Sequence, residues 1–447
     1  MQKISQISLD LNSKAQVFNG LSISHDSLPF SFDFPNKTMT FVEIKVFSID
    51  KRYIAMKHTF LLAYLVSCIF LSACQSSSND SSATYDIDLV ESKKITLPCD
   101  ENTYFLSKSI FQFEEDGKEY LHFENSRKGL YEIITFDLET QDVHKRIPIH
   151  PEGPDGIPAM FGSKPYPNSK NYLIFQGKAF RITQMTENGK VLRNYQLKSP
   201  GKFVRVMLGS FCYLPSFVRD SVLYFDQRCA GKRNLEYYPL FASLDLKTGE
   251  LDWAPLNLPK TFDGDYSHIT SGDSFTYDYN YKDNRLVCSF TESDSIMVTD
   301  DLTNVKYYNA KSQFLRKMTP YINDKDITVA GLVRRMENPK YWHLMYDKYR
   351  DVYYRFAEMP CELADNEDPY DNFAPRAREF SVIVLDKDFN IIGETKFPGN
   401  KYFYKMSFVG RDGLYISENN LANPEFDEDK LVFACFKLED SKESLSL

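Results

Sequence analysis

From residue 85 onward the chain is written in short apolar and aromatic runs separated by clusters of Asp, Asn, Thr, Gly and Lys. Runs of this kind, rich in Phe, Tyr, Val and Ile and bounded by turn residues, predict strands. One element recurs five times. Tyr131–Asp137 leads through Leu138–Gln141 into Val143–Ile149, and Phe180–Met185 through Thr186–Gly189 into Val191–Leu197. Leu240–Asp245 leads through Leu246–Gly249 into Leu251–Leu256, and Ser295–Asp300 through Asp301–Asn304 into Val305–Tyr308. Phe380–Asp386 leads through Lys387–Asn390 into Ile391–Phe397. Each is a strand, a polar turn and a strand, the pattern of a hairpin.

A further strand pair precedes each hairpin. The pairs are Tyr104–Phe113 with Lys118–Glu124, Ile157–Gly162 with Tyr172–Phe175, and Val204–Tyr213 with Val222–Asp226. Ser274–Asn280 with Arg285–Phe290, and Tyr341–Tyr346 with Val352–Phe356, complete the set. Four strands per repeat predict the blade of a β-propeller. Tyr402–Val409, Leu414–Ser417 and Leu431–Lys437 make three strands of a sixth unit, and Ile87–Leu97 is a lone strand that would cover its open edge. The expected fold is therefore all-β: a six-bladed propeller of four-stranded antiparallel blades over residues 85–440, closed by the N-terminal strand, with a tail at 441–447. The fifth hairpin follows the fourth at a longer interval than the others. Ala357–Glu379 reads as an insertion and Asp326–Met336 as a helix or an extra strand, so a degenerate seventh blade is the alternative.

Ahead of this body lies Lys57–Cys74, a basic start followed by the 12-residue apolar run Phe60–Leu71 and then Leu71-Ser72-Ala73-Cys74. A helix needs about 20 residues to cross the hydrocarbon core, so the run reads as a signal segment. The tetrapeptide resembles a bacterial lipobox, with Cys74 the lipidated residue. Residues 56–73 are then the signal peptide and 74–84 a tether expected to be disordered, since Gln75–Ser82 is polar with nothing to bury. Residues 1–55 precede Met56 and read as an over-extended reading frame without packed structure.

Composition narrows the partners. The net charge is −9; residues 1–73 hold seven Lys/Arg and five Asp/Glu, so removing their +2 leaves −11. An acidic chain of this kind repels nucleic acid, which is excluded as a partner. Cys99, Cys212, Cys229, Cys288, Cys361 and Cys435 show no C-x-x-C spacing. Cys212 and Cys229 flank a turn near Val218–Asp220 and form a candidate disulfide, which export would permit.

Candidate chemistry is sparse. No hydrolase elbow, zinc-protease, dinucleotide, P-loop or EF-hand motif is present, so no catalytic residue, metal ligand or cofactor is assigned. The densest block is Tyr341–Phe356. Its Tyr341, Trp342, His343, Asp347, Arg350 and Arg355 could hold a ligand through aromatic faces and charged groups, or could pack blades together. The loop His150–Gly156 serves turn geometry or lines a central mouth.

Glu152-Gly-Pro-Asp-Gly156, Tyr346–Phe356 and Ser381–Asp386, downstream of a lipobox, resemble Bacteroidetes lipoproteins grouped as domain-of-unknown-function family 4221, TolB-like six-bladed propellers. The resemblance covers about residues 85–440 and implies fold and location, with Cys74 at the outer membrane of the cell envelope, but no activity. The expected function is a monomeric, membrane-anchored module that binds a protein or glycan ligand. The rival is a carbohydrate-active hydrolase or lyase with its site in the central funnel. Carboxylates or histidines clustered there would favour the enzyme, and a lining of Phe, Ser and backbone the binder.

Overall fold

The computed structural model describes residues 85–441, apart from 128, 159, 161, 168, 178, 198–208, 227–238, 258–274, 317–332, 334–335 and 362–377. The lipobox, the tether, residues 1–55, Cys229, nearly all of Asp326–Met336 and most of the acidic insertion lie outside the described residues.

Every described strand belongs to an antiparallel ladder built largely from neighbours in sequence. β1 is Ile87–Pro98. β2 (Ile110–Glu115), β3 (Lys118–Arg127), β4 (Leu130–Asp137) and β5 (Val143–Ile149) form one four-stranded sheet. β6 (Gly162–Pro165), β7 (Asn171–Gln176), β8 (Arg181–Thr186) and β9 (Val191–Gln196) form the second. β10 (Phe217–Arg219), β11 (Val222–Asp226), β12 (Phe241–Asp245) and β13 (Leu251–Trp253) form the third. β14 (Phe275–Asn280), β15 (Arg285–Phe290), β16 (Ser295–Thr299) and β17 (Lys306–Asn309) form the fourth.

The remaining strands share one eight-stranded sheet. β18 (Lys340–Asp347), β19 (Val352–Glu358), β20 (Phe380–Leu385) and β21 (Ile391–Phe397) run in order. β22 (Phe403–Gly410), β23 (Gly413–Ser417) and β24 (Lys430–Asp440) run the other way, and β1 lies between β21 and β24. β1 pairs with β24 from Ile87↔Asp440 to Pro98↔Lys430, as the lone N-terminal strand was expected to do. It meets β21 at one parallel position, Ile87↔Gly393.

Local chemistry explains the hairpins. In four of them an aspartate closes the turn by accepting backbone N–H bonds: Asp137 from Glu139 and Thr140, Asp245 from Lys247 and Thr248, Asp301 from Thr303 and Asn304, Asp386 from Asp388 and Asn390, all at 2.7–3.1 Å. Asp side chains do this readily, which is why the repeat is visible in the sequence. The β2–β3 turn uses Asp116 and Gly117, both at positive φ (51° and 78°), as a two-residue hairpin requires.

Middle strands are buried along their whole length, as in β19 and β20, whereas outer strands such as β9 and β17 are largely exposed. The continuous apolar runs therefore mark strands covered on both faces. Apolar clusters join successive sheets in a closed circuit. Ile133 shares a cluster with Ile174, Leu173 with Leu223, Phe217 with Tyr277, Val298 with Leu385, and Phe356 with Phe433 and Phe123. The architecture is all-β and propeller-like.

The first strands of the repeats depart from expectation. β2 starts at Ile110 instead of Tyr104, and β6 starts at Gly162, where the expected strand ended. The partner of β11 is Phe217–Arg219 instead of Val204–Tyr213, because Asp220 and Ser221, both at positive φ, close a tight turn directly before it. Continued outward, that register would set Cys212 opposite Cys229. The ladder stops at Phe217, and Pro215 and Ser216 lie outside it. Cys212 is a free thiol whose Sγ faces the Lys405 carbonyl at 3.1 Å, and its expected partner Cys229 lies outside the described residues.

Candidate functional site

The first strands of five repeats line a shared cavity of about 980 Å³. β2, β6, β14, β18 and β22 all contribute, with Cys212 and Pro215 standing in front of the third sheet. The turns that follow these strands form the mouth, through Tyr166, Lys170, Tyr281, Lys282, Lys348 and Tyr349. The volume falls in the range of small-ligand sites, and the wall mixes aromatic rings with a few polar groups as such sites do.

Ion pairs that cross from sheet to sheet stitch the mouth. Lys170 meets Glu115 at 2.8 Å, Lys282 meets Asp351 at 2.5 Å, and Glu187 meets Lys145 at 3.0 Å. Glu114 receives Arg411 at 2.7 Å, Lys348 at 3.3 Å and the Tyr349 hydroxyl. Partial burial works against ionisation of Glu114, yet these donors outweigh it and hold its carboxyl at about 2.

Two charged groups sit deeper. Lys164, on β6, donates to the Ser216 carbonyl and lies over the Phe111 ring, with Nζ 5.1 Å from the centroid. Burial lowers its ammonium to about 8. Asp278, on β14, accepts the N–H of Tyr279 and of Tyr346, both at 2.8 Å, and burial raises its carboxyl to about 6. Both side chains are enclosed by protein yet only half-buried to solvent, because their remaining surface is the wall of the cavity.

The six residues expected from the aromatic block do not line this cavity. Arg355 is fully buried and donates to the Ser289 hydroxyl at 2.8 Å and to the carbonyls of Ala310 (2.8 Å), Asp294 (3.0 Å) and Ser293 (2.5 Å). Tyr341 lies beneath its guanidinium. Asp347 closes the β18–β19 turn, accepting from the Tyr349 and Arg350 amides, the Arg350 guanidinium and the Tyr354 hydroxyl. Arg350 continues to the carbonyls of Gly410 and Arg411. Trp342 is buried with Lys405 over its ring at 4.1 Å. His343 is buried, its Nε2 3.2 Å from the Cys212 carbonyl, and burial lowers its pKa to about 4. These contacts hold sheets together. From the same block Met345, Tyr346, Lys348 and Tyr349 do reach the cavity.

The loop His150–Gly156 lines a separate, smaller cavity of about 230 Å³ with Pro148 and Met185. Lys164 and Asp278 were missed as a pair.

A closed set of sheets around one mixed aromatic and charged cavity defines a propeller-like protein with a central ligand-sized site. Residues 86–396 match the DUF4221 family, a domain of unknown function, and the chain belongs to that family. A crystal structure of a DUF4221 member from Bacteroides vulgatus is 51% identical, with a TM-score of 0.75, over 80% of this chain and 99% of that one. A candidate exported protein of Bacteroides fragilis is 10% identical at a TM-score of 0.49, over 80% of this chain and 98% of its own. BamB of Moraxella catarrhalis is 13% identical at 0.33, over 78% of this chain and 100% of its own. No curated protein matches.

Proposed function

We propose that this chain is a lipid-anchored binding module of the cell envelope whose ligand enters the central funnel. The observation that carries the reading is the cavity itself, of ligand size and walled by the first strands of five repeats. Its acids are already engaged: Glu114, Glu115 and Glu187 by lysine or arginine, Asp278 by two backbone amides. In this reading the eight-stranded sheet is two blades, β18–β21 and β22–β24 with β1, and the propeller has six. Cys74 carries the lipid, the outer membrane is its location, and the module acts as a monomer.

Screening the full chain against glycan arrays and small-molecule libraries by thermal shift tests the function; a blank in both sinks it. Cys74→Ala tests the anchor. It should release the protein from the membrane fraction, and unchanged partitioning would refute lipidation at Cys74.

A catalytic reading has one observation in its favour, the burial that brings Asp278 and Lys164 towards neutral pH. Asp278→Asn separates the two readings, since it would abolish turnover of any substrate found while leaving a pure binder able to bind.

A further inference from the structure

Among the charged groups lining the funnel, those at the mouth are matched by opposite charge, and one deep cation is not. Lys170 has Glu115 and Lys282 has Asp351 within 3 Å. Lys348 faces Glu114 at 3.3 Å. Among the described residues no carboxylate lies within ion-pair distance of Lys164, and its polar contact is the neutral Ser216 carbonyl. An ammonium offers three donors, so Lys164 has two left to offer. The acid that acts on it through space, Asp278, already accepts the Tyr279 and Tyr346 amides. The Phe111 ring beneath the ammonium supplies an apolar surface beside the charge, and Phe113, Tyr279 and Tyr281 line the same cavity. Enclosing a cation with no carboxylate of the described residues in ion-pair contact is costly, and an incoming anion would offset that cost.

Resting on the funnel as the binding site, we propose that its ligand is a small amphipathic acid, whose anionic group meets Lys164 and whose aromatic or aliphatic body lies on the Phe111 side of the wall. A charge-assisted hydrogen bond to an enclosed ammonium is worth about tenfold or more in affinity.

The probes are anilinonaphthalene sulfonate, an aromatic anion, and phenylnaphthylamine, its counterpart without the sulfonate, titrated by fluorescence into the full chain. Lys164→Met, close in volume and without charge, should weaken the sulfonate about tenfold and leave phenylnaphthylamine unchanged. Lys164→Arg should keep sulfonate binding, and thermal melts of both variants check the fold. If Lys164→Met leaves sulfonate binding as it was, or weakens both probes alike, the acid-specific inference is overturned while the funnel reading stands. If neither probe binds the unaltered chain, the acid-specific inference is overturned, while the funnel reading is decided by the glycan and small-molecule screens.

Discussion

The guanidinium carbon of Arg355 lies 3.4 Å from the centroid of the Tyr341 ring, and both side chains are almost wholly buried. The arginine belongs to β19 and the tyrosine to β18, while Ser289, Ser293, Asp294 and Ala310, which accept its donors, belong to the fourth sheet and its loops. One side chain therefore ties two sheets together through a planar fork that lysine cannot reproduce. Burial lowers Arg355 to about 10, so it remains a cation at neutral pH. Arg355→Met should lower unfolding stability by about 3 kcal/mol or more, since several buried carbonyls lose charged donors. Tyr341→Phe removes only the hydroxyl that donates to Asp294 and accepts from Ser312, and should cost about 1 kcal/mol. Denaturant titrations of the two variants give the comparison, and equal losses would contradict this account.

Glu358 supplies a pH dependence. Burial alone would raise its carboxyl, but Lys340, Arg378, Lys405 and the Tyr404 hydroxyl bring it down from 4.5 to about 2. A group held below its ordinary value stabilises the fold fully above that value and loses the contribution as pH falls toward the folded one. Wild type should thus exceed Glu358→Gln by about 3 kcal/mol at pH 7. The gap should close between pH 4.5 and about 2. A gap independent of pH would show that the carboxylate charge is not what matters.

Gly393 tests the junction inside the eight-stranded sheet. A Cβ there would press on the Ile87 carbonyl, at the one position where β1 meets β21. Gly393→Ala should destabilise by about 1–3 kcal/mol, the usual cost of forcing an extra carbon into a close contact. Hydrogen exchange should also quicken at the Leu89 amide, which donates to Thr395 Oγ1 at 2.8 Å across the same junction. Unchanged exchange at Leu89 would mean that the contact relaxes without parting the strands.

Thiol labelling examines Cys212. Burial pushes its thiol up to about 12, and Cys288 is likewise buried and raised. Both should resist alkylation in the native state and take the label fully after unfolding without reductant. Protection of Cys212 that persists until reductant is added would restore the bridge to Cys229.

Legibility followed the range of the interactions. The hairpins closed by Asp137, Asp245, Asp301 and Asp386 were read correctly because the turn is built from residues within four positions of one another. The first strands were not. β6 and β10 are four and three residues long, too short to show an alternation. The aromatic block was singled out for its density, yet density of buried rings and cations between sheets produced clasps such as Arg355 on Tyr341. Tyr346, Lys348 and Tyr349 from the same block line the cavity instead.

The sequence by itself determined the strand count per repeat and the turns, because alternation and turn chemistry are local demands, and the return of Ile87–Pro98 to the last strand, because an unpaired edge must be covered however distant its partner is in sequence. Only the tertiary structure decided which side chains face the cavity. Lys164 and Asp278 stand more than a hundred residues apart, on different sheets, and what they share is an interior wall that exists only once the sheets have closed around it.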